Sequence, residues 1–231
     1  MASPATVDTE LFELRDKYGR QITDLRLAIT DRCNYKCVYC RTGNEGALYS
    51  ELSFAEYLRI VRIFLGLGIR KLRITGGEPL LRSGVVEFVR ELRRMDRELD
   101  IAVTTNGHLL AEMAAPLKEA GLSRVTVSMD AVEPEAFARI TRVPNGFEAV
   151  QAGIRAARAA GLDPVKVNCV LLRGFNDDQI AGFGHFAREH NVIVRFIEFM
   201  PLEEDRVWSP EIVVRLDEIL ERMAQFRRSG R

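Results

Sequence analysis

Three of the four cysteines in this chain lie close together in the segment DRCNYKCVYC, which covers residues 31–40. Cys33, Cys37 and Cys40 have the spacing C-x3-C-x2-C. Clustered thiolates are typical ligands of zinc and of iron–sulfur clusters. A structural zinc ion normally takes four protein ligands, and none of the three histidines is spaced to complete the set. An iron–sulfur cube usually takes one cysteine per iron, so three cysteines would leave one iron open for chemistry on a bound molecule.

The rest of the composition narrows the functions that the chain could have. Cys169 stands apart in an apolar stretch, where we expect it to pack in the core. This distribution of cysteines does not suggest the disulfides of a secreted protein, and no apolar run is long enough for a leader or a membrane span. The sequence therefore predicts a cytoplasmic protein. Lys+Arg and Asp+Glu are balanced at 33 each, which argues against nucleic acid as a partner but leaves room for a local basic pocket.

The elements that must position these residues can be predicted from the spacing of apolar side chains. That spacing alternates between two and about 3.6 residues, which predicts six βα units on a parallel sheet. Strands are predicted at residues 25–30, 71–75, 101–105, 124–129, 165–172 and 192–199. The cysteine segment then follows the first strand, at the end of the sheet where βα barrels place their active sites.

Helices are predicted between the strands. The first begins with a capping box of Ser53 and Glu56, and the last carries an apolar stripe from Val213 to Phe226. No linker interrupts the pattern. We therefore expect one domain over residues 1–231, with an N-terminal segment at 1–20, six βα units over 21–202 and a terminal helix over 203–231.

Alternation within the predicted strands separates an apolar face from a polar face. The polar positions are Arg26, Thr30, Arg73, Thr75, Thr104, Thr126, Ser128, Lys166 and Asn168. A closed eight-stranded barrel fills its lumen with branched apolar side chains, so this polar face predicts an open or partial barrel around a polar, anionic ligand. The alternative is an open doubly wound sheet with scattered polar residues. It is disfavoured because no Gly-x-Gly-x-x-Gly turn follows the first strand.

Two segments resemble the signature of the radical S-adenosylmethionine (SAM) superfamily. One is the cysteine motif with Tyr39 before its last cysteine; the other is TGGEP at residues 75–79, which is similar to the GGEP motif of that superfamily. The resemblance implies a partial (β/α)6 TIM-like barrel and a 4Fe-4S cluster held by the three cysteines. It also implies that the open iron binds SAM, that the reduced cluster cleaves it to a 5′-deoxyadenosyl radical, and that Gly77 approaches the amino group of SAM.

Within that superfamily the chain resembles the GTP 3′,8-cyclases of molybdenum cofactor biosynthesis. The segments DKYGRQITDLRLAITDRCNYKCVYC, GIRKLRITGGEPLLR, TTNG, VTVSMDA, VKVNCVLLRGFN and VRFIEFMPL carry the resemblance, in that order. It implies conversion of GTP to 3′,8-cyclo-7,8-dihydro-GTP. It also implies a flavodoxin or ferredoxin as electron donor, transfer of the product to a cyclic pyranopterin monophosphate synthase, and a homodimer.

The same resemblance assigns site residues. Around SAM it implies Tyr39, Gly76, Gly77, Glu78, Ser128 and Met200. Around GTP it implies Arg26, Arg73, Thr104 and Lys166, all of which strand alternation already places on the polar face.

The sequence departs from the family in one respect. The cyclases hold the guanine of GTP with a second cluster, bound by three cysteines near the C-terminus, whereas no cysteine follows Cys169 here. We therefore expect one cluster, a fragment of a longer protein rather than a natural short form, and poor turnover of GTP. Two alternatives stay open: a radical SAM enzyme with another substrate such as a peptide, and an inactive fragment that binds a cluster.

Overall fold

Six parallel strands form one sheet in a computed structural model that describes residues 13–40, 50–201 and 208–229. The strands are β1 Asp24–Ala28, β2 Lys71–Thr75, β3 Asp100–Thr105, β4 Arg124–Ser128, β5 Lys166–Leu171 and β6 Ile193–Glu198. All six predicted strands are present, and each predicted bound lies within two residues of the observed one.

The order of the strands distinguishes the two predicted architectures. Each strand lies next to its neighbour in the chain, from β1 to β6. A doubly wound sheet reverses its strand order at a switch point, whereas a barrel keeps it sequential. Among the described residues, β1 pairs only with β2 and β6 only with β5, so the sheet has two open edges. The fold is therefore a partial barrel, as predicted.

Seven α-helices are present in the described part of the chain. They are α1 Phe54–Gly66, α2 Val85–Met95, α3 Leu110–Glu119, α4 Pro134–Thr141, α5 Gly146–Ala159, α6 Ile180–His190 and α7 Leu216–Ser229. The predicted capping box begins α1: Ser53 N donates to Glu56 at 2.7 Å, and Glu56 N donates to Ser53 Oγ at 3.3 Å. No helix in the described ranges is long and apolar enough to cross a membrane.

The end of the chain differs from the prediction. The terminal helix begins at Leu216, and Val213, which was predicted to lie on its apolar stripe, instead forms an antiparallel bridge with Leu172. Val213 is buried there. The spacing of apolar residues could not distinguish the two cases, because a single buried valine is compatible both with a helical stripe and with a β-bridge. Residues 203–207 and 230–231 of the predicted terminal helix, and residues 1–12 of the predicted N-terminal segment, lie outside the described residues.

The core lies between the helices and one face of the sheet. The apolar positions of the strands are buried there, including Val125, Val127 and Cys169, each with no exposed surface. The prediction that Cys169 packs in the core is therefore confirmed. Because alternate side chains of a strand point to opposite faces, the polar positions must face the lumen.

Candidate functional site

The lumen of the partial barrel contains a polar cavity of about 330 Å³. It is lined by Arg26, Arg73, Thr75, Thr104, Asn168, Arg195, Phe196 and Ile197. The strand register brings distant parts of the chain together here: Arg26 lies opposite Arg73, and Asn168 lies opposite Arg195. The structure thus gathers three of the four residues that the resemblance assigned to GTP around one cavity.

Arg73 is fixed at the centre of this lumen. Its Nη1 donates to Thr104 Oγ1 at 3.1 Å and to Thr126 Oγ1 at 3.2 Å. Burial lowers the pKa of Arg73, and Arg124, Arg195 and Arg26 lower it further. Since neutral hydroxyls satisfy its donors without balancing its charge, the guanidinium remains positively charged in a partly desolvated site.

Lys166 adds to the same concentration of positive charge. Its pKa is lowered first by burial and then by Arg124, Arg195 and Arg73. Asp100 is the carboxylate that offsets this repulsion, and it already binds Arg124, with 3.1 Å between Arg124 Nε and Asp100 Oδ1. Like charges held together by a fold are relieved by a bound anion, so the lumen suits a ligand with several negative charges.

Two lumen residues, Arg195 and Arg124, were not predicted from the sequence. Arg195 Nε donates to Asn168 Oδ1 at 2.9 Å, which holds it over the cavity. Strand alternation did not reveal Arg195, because the residues on the same face of β6, Ile193 and Ile197, are apolar. The sequence of β6 therefore does not show which of its faces is polar. Only the register with β5 identifies the face.

The cysteine loop follows β1 at the carboxyl end of the sheet. Its backbone is pinned to the end of α4, because Lys36 N donates to Thr141 O at 3.2 Å and Val38 N to Ile140 O at 2.9 Å. A further backbone bond, from Cys40 N to Cys37 O at 3.0 Å, turns the chain between the second and third cysteines.

The three thiols suit an iron–sulfur cluster better than a single metal ion. Cys33, Cys37 and Cys40 are half-buried, and none forms a disulfide. A cube binds one thiolate per iron, so three cysteines in one loop are a donor set that fits it. Burial raises the pKa of Cys33 and of Cys37, and Cys40 raises both further, so a bound cation must displace their protons.

The TGGEP segment crosses directly over the start of the cysteine loop. Gly77 N donates to Thr30 O and Glu78 N to Arg32 O, each at 2.8 Å. A Cβ at Gly76 would lie 2.1 Å from Thr30 O, and one at Gly77 would lie 2.4 Å from Arg32 O. The sequence-based reason for these glycines, close approach to SAM, is therefore incomplete: the backbone that they approach in the structure is the chain's own.

Glu78, which the resemblance assigns to SAM, lies between the TGGEP segment and the end of β3. Its side chain is fully buried, and its carboxylate accepts from Leu80 N at 2.9 Å, Thr105 Oγ1 at 2.8 Å and Asn106 N at 2.6 Å. Burial raises the pKa of this carboxyl group. The carboxylate therefore joins the segment after β2 to the end of β3.

Tyr39 is anchored by its hydroxyl group, which donates to Asp130 Oδ2 at 2.6 Å. Asp130 is buried and also accepts from Val170 N at 2.8 Å; burial raises its pKa to about 6. The Tyr39 ring packs edge to face on Phe199, with 6.3 Å between ring centroids. Met200 follows Phe199 beyond the end of β6 and is 52% exposed, and Ser128 ends β4 opposite Asn168. Both therefore lie at the carboxyl end of the sheet, as does the cysteine loop.

The sequence matches the profile of the Radical SAM superfamily over residues 27–187. The chain belongs to the radical SAM superfamily. The match runs from β1 into α6 and includes the cysteine loop and the TGGEP segment. A 4Fe-4S cluster and SAM are the cofactors of that superfamily, and the donor set of the cysteine loop fits such a cluster.

Curated relatives extend this assignment. The chain is 45% identical to the GTP 3′,8-cyclase of Petrotoga mobilis, over 89% of this chain and 64% of that protein. It is 47% identical to the GTP 3′,8-cyclase of Paenarthrobacter nicotinovorans, over 89% and 59% respectively. The resemblance drawn from the sequence motifs is confirmed. The chain spans about three fifths of the length of these radical SAM relatives.

Solved structures share the fold. Streptococcus suis SuiB bound to S-adenosylmethionine superposes with a TM-score of 0.71 at 15% identity, covering 89% of this chain and 48% of that one. A radical SAM methyltransferase from Sphaerobacter thermophilus gives a TM-score of 0.67 at 19% identity, covering 93% and 69%. At these identities the likeness establishes the architecture and leaves the substrate open.

Proposed function

We propose that this chain is the radical SAM portion of a GTP 3′,8-cyclase, which converts GTP to 3′,8-cyclo-7,8-dihydro-GTP in molybdenum cofactor biosynthesis. The observation that carries the proposal is the concentration of cations in the lumen, beside a cysteine loop suited to a cluster. Burial and then the neighbouring cations lower the pKa of Arg73 and of Lys166, and a triphosphate would relieve the repulsion among these cations. Identities of 40–47% to curated GTP 3′,8-cyclases support the same substrate.

Cys33, Cys37 and Cys40 would hold one 4Fe-4S cluster. A reduced cluster of this class supplies the electron that cleaves SAM and so begins radical chemistry on the substrate. The chain's own part is to orient the loop: the Tyr39–Asp130 hydrogen bond, of 2.6 Å, anchors its last turn. The backbone of Gly76 and Gly77, with the side chains of Ser128 and Met200, would border SAM at the carboxyl end of the sheet.

Arg26, Arg73 and Lys166 would bind the triphosphate, and we add Arg195 to this group. Arginine offers forked donors to phosphate oxygens, while lysine offers a point charge. Thr104 holds Arg73 in place through a 3.1 Å hydrogen bond and would position it for the phosphates. Strand β6 thus contributes a cation from the edge of the partial barrel.

The proposed function implies partners. A flavodoxin or ferredoxin would reduce the cluster, and a cyclic pyranopterin monophosphate synthase would consume the product; a homodimer is also proposed. A reducing compartment such as the cytoplasm fits four cysteines without a disulfide. We propose a single cluster for this chain, since no cysteine follows Cys169.

Anaerobic reconstitution with iron and sulfide tests the proposal. We expect about four irons per chain, a reduced-cluster signal in electron paramagnetic resonance (EPR), cleavage of SAM to 5′-deoxyadenosine, and binding of GTP in the lumen, with poor turnover of GTP. The binding of GTP is measured by calorimetry, with guanosine as the control that lacks phosphates. Cleavage of SAM without any binding of GTP would favour a radical SAM enzyme with another substrate, such as a peptide. Absence of a cluster would contradict the proposal as a whole.

A further inference from the structure

We propose that Asn106 tunes the cluster: its side-chain amide donates to the Cys33 thiolate and, held in place by Glu78, raises the reduction potential of the bound 4Fe-4S cluster. The inference rests on the proposed cluster but not on GTP as the substrate. Asn106 is a positioning residue here, since it acts on a cluster ligand and not on a reacting atom.

Asn106 is held rigidly before it reaches the cysteine loop. It directly follows β3, and its backbone N–H donates to Glu78 Oε2 at 2.6 Å. His108 N donates to Asn106 Oδ1 at 3.0 Å. The backbone N–H of His108 can only donate, so the side-chain oxygen of Asn106 must face it. The two N–H groups of Asn106 Nδ2 therefore point away from His108.

Both of those N–H groups meet the cysteine loop. Asn106 Nδ2 lies 2.7 Å from Asn34 Oδ1 and 3.9 Å from Cys33 Sγ. Tyr35 N donates to the same sulfur at 3.4 Å, so Cys33 Sγ has one backbone donor and one side-chain donor. The longer side-chain contact makes the weaker bond, and it is the one that a substitution can remove.

Hydrogen bonds to the sulfur ligands are one of the means by which a protein sets the potential of an iron–sulfur cluster. The reduced cluster carries one more negative charge than the oxidised cluster, and donors at a ligand sulfur stabilise that charge. The Asn106 amide therefore favours the reduced form. For an enzyme that must hold an electron before passing it to SAM, this contact would ease reduction by a donor protein.

Glu78 completes the chain of contacts. Its buried carboxylate binds Thr105 Oγ1 at 2.8 Å as well as Asn106 N, so it fixes the end of β3 relative to the TGGEP segment. The Glu78 N–H binds Arg32 O, next to Cys33, at 2.8 Å. The glutamate of the TGGEP segment thus acts on the first cysteine through Asn106, without contact to the sulfur.

The test is an EPR-monitored redox titration of the reconstituted full chain, without SAM or GTP. We expect the midpoint potential of Asn106→Ala to lie below that of the wild type, because one donor is lost. Asn106→Asp should lie at or below Asn106→Ala, since it adds a negative charge while it keeps the acceptor for His108.

Two further variants separate tuning from a general loosening of the loop. Asn34→Ala removes the hydrogen bond from Asn106 Nδ2 to Asn34 Oδ1 but leaves the Asn106 amide free to donate to Cys33. The potential of this variant should therefore stay near that of the wild type. Asn191→Asp makes the same amide-to-carboxylate change at the exposed C-cap of α6, toward the opposite end of the strands, and should also leave the potential unchanged.

Three results would overturn the inference. Unchanged potentials in both Asn106 variants at full iron content would show that the contact has no effect. An equal shift in Asn34→Ala would assign the effect to loop geometry, and loss of the cluster in both Asn106 variants but not in Asn34→Ala would assign Asn106 to cluster assembly. A wild type without any cluster overturns this inference and the proposed function together, whereas a failure to bind GTP overturns only the latter.

Discussion

Two carboxylates near the cysteine loop, Glu78 and Asp130, are buried and accept hydrogen bonds from neutral donors. Glu78 has no exposed surface and Asp130 is 3% exposed, and the donors that meet both carboxylates are neutral hydroxyl and backbone N–H groups. In the folded chain, burial raises the pKa of Asp130 to about 6, from 3.8. An acid whose folded-state pKa is raised destabilises the fold in its ionised form.

The sign of the pH dependence follows from that shift. Between pH 3.8 and about 6 the folded chain binds more protons at Asp130 than the unfolded chain, so its stability falls as the pH rises through this window. A shift of about two units corresponds to about 3 kcal/mol at most. We expect Asp130→Asn to remove this contribution. The free energy of unfolding of the wild type should therefore rise relative to that of the variant as the pH is lowered from 7 to 4.

Urea unfolding of the cluster-free chain at several pH values measures this difference. The asparagine Oδ1 can accept from the Val170 N–H, and its Nδ2 can donate to the Tyr39 oxygen. Both contacts are then kept, and the main difference between the two chains is the charge at residue 130. A gap between the two chains that is independent of pH would show that Asp130 does not titrate in this window.

At the scale of elements, loops at the carboxyl ends of neighbouring strands support one another. The loop after β2 passes within hydrogen-bonding distance of the loop after β1, and this contact requires glycine at two successive positions. The loop after β3 then joins both through Asn106 and Glu78. The cysteine loop is therefore held from two sides before any cluster binds.

Gly77→Ala tests this support. The added methyl group would lie 2.4 Å from Arg32 O, so one of the two loops must move. We expect a loss of about 1–3 kcal/mol in the free energy of unfolding, which is typical of overpacking, and a lower iron content after reconstitution.

Gly66→Ala is the matched control, because no atom lies within 4 Å of its added methyl group and the position ends α1. Its stability should equal or exceed that of the wild type by up to about 1 kcal/mol. Full iron content in Gly77→Ala would contradict the proposed support of the cysteine loop.

At the scale of the whole molecule, the lumen collects positive charge from most of the strands. β1, β2, β4, β5 and β6 supply Arg26, Arg73, Arg124, Lys166 and Arg195. Each cation alone could be a solvated surface residue, but the sheet brings all five around one interior. A fold that holds such charges together is stabilised by a multivalent anion, by linkage.

Tripolyphosphate and GTP should therefore both raise the melting temperature of the chain, whereas guanosine should not. Arg195→Met should weaken the binding of both phosphates by roughly 10- to 100-fold, the loss expected for one charge-assisted hydrogen bond. Without ligand the variant loses the Arg195–Asn168 hydrogen bond as well as one repulsive charge, so its stability should stay near that of the wild type. Arg59→Met, on the exposed side of α1, is the control. Equal binding of GTP by Arg195→Met and the wild type would remove Arg195 from the site.

Much of the architecture could be predicted from local patterns. The strands alternate and the helices repeat at 3.6 residues, so the period alone located all six strands and the capping box located the start of α1. The polar face of the lumen followed from the same alternation, because side-chain direction in a strand is a local property. Cys33, Cys37 and Cys40 were identified by spacing, since all three lie in one loop.

The remaining features depend on which segments meet, and no local pattern encodes that. Arg195 faces the lumen because the register between β5 and β6 places it opposite Asn168. The resemblance assigns Glu78 to SAM, and only the fold shows that its carboxylate is buried and accepts from Asn106 N at the end of β3. Asn106 and Cys33 are far apart in sequence, and only the sequential closing of a parallel sheet brings their loops together at its carboxyl end. The sequence by itself therefore determined which side chains are present, whereas only the tertiary structure decided which of them meet, because those contacts are long-range.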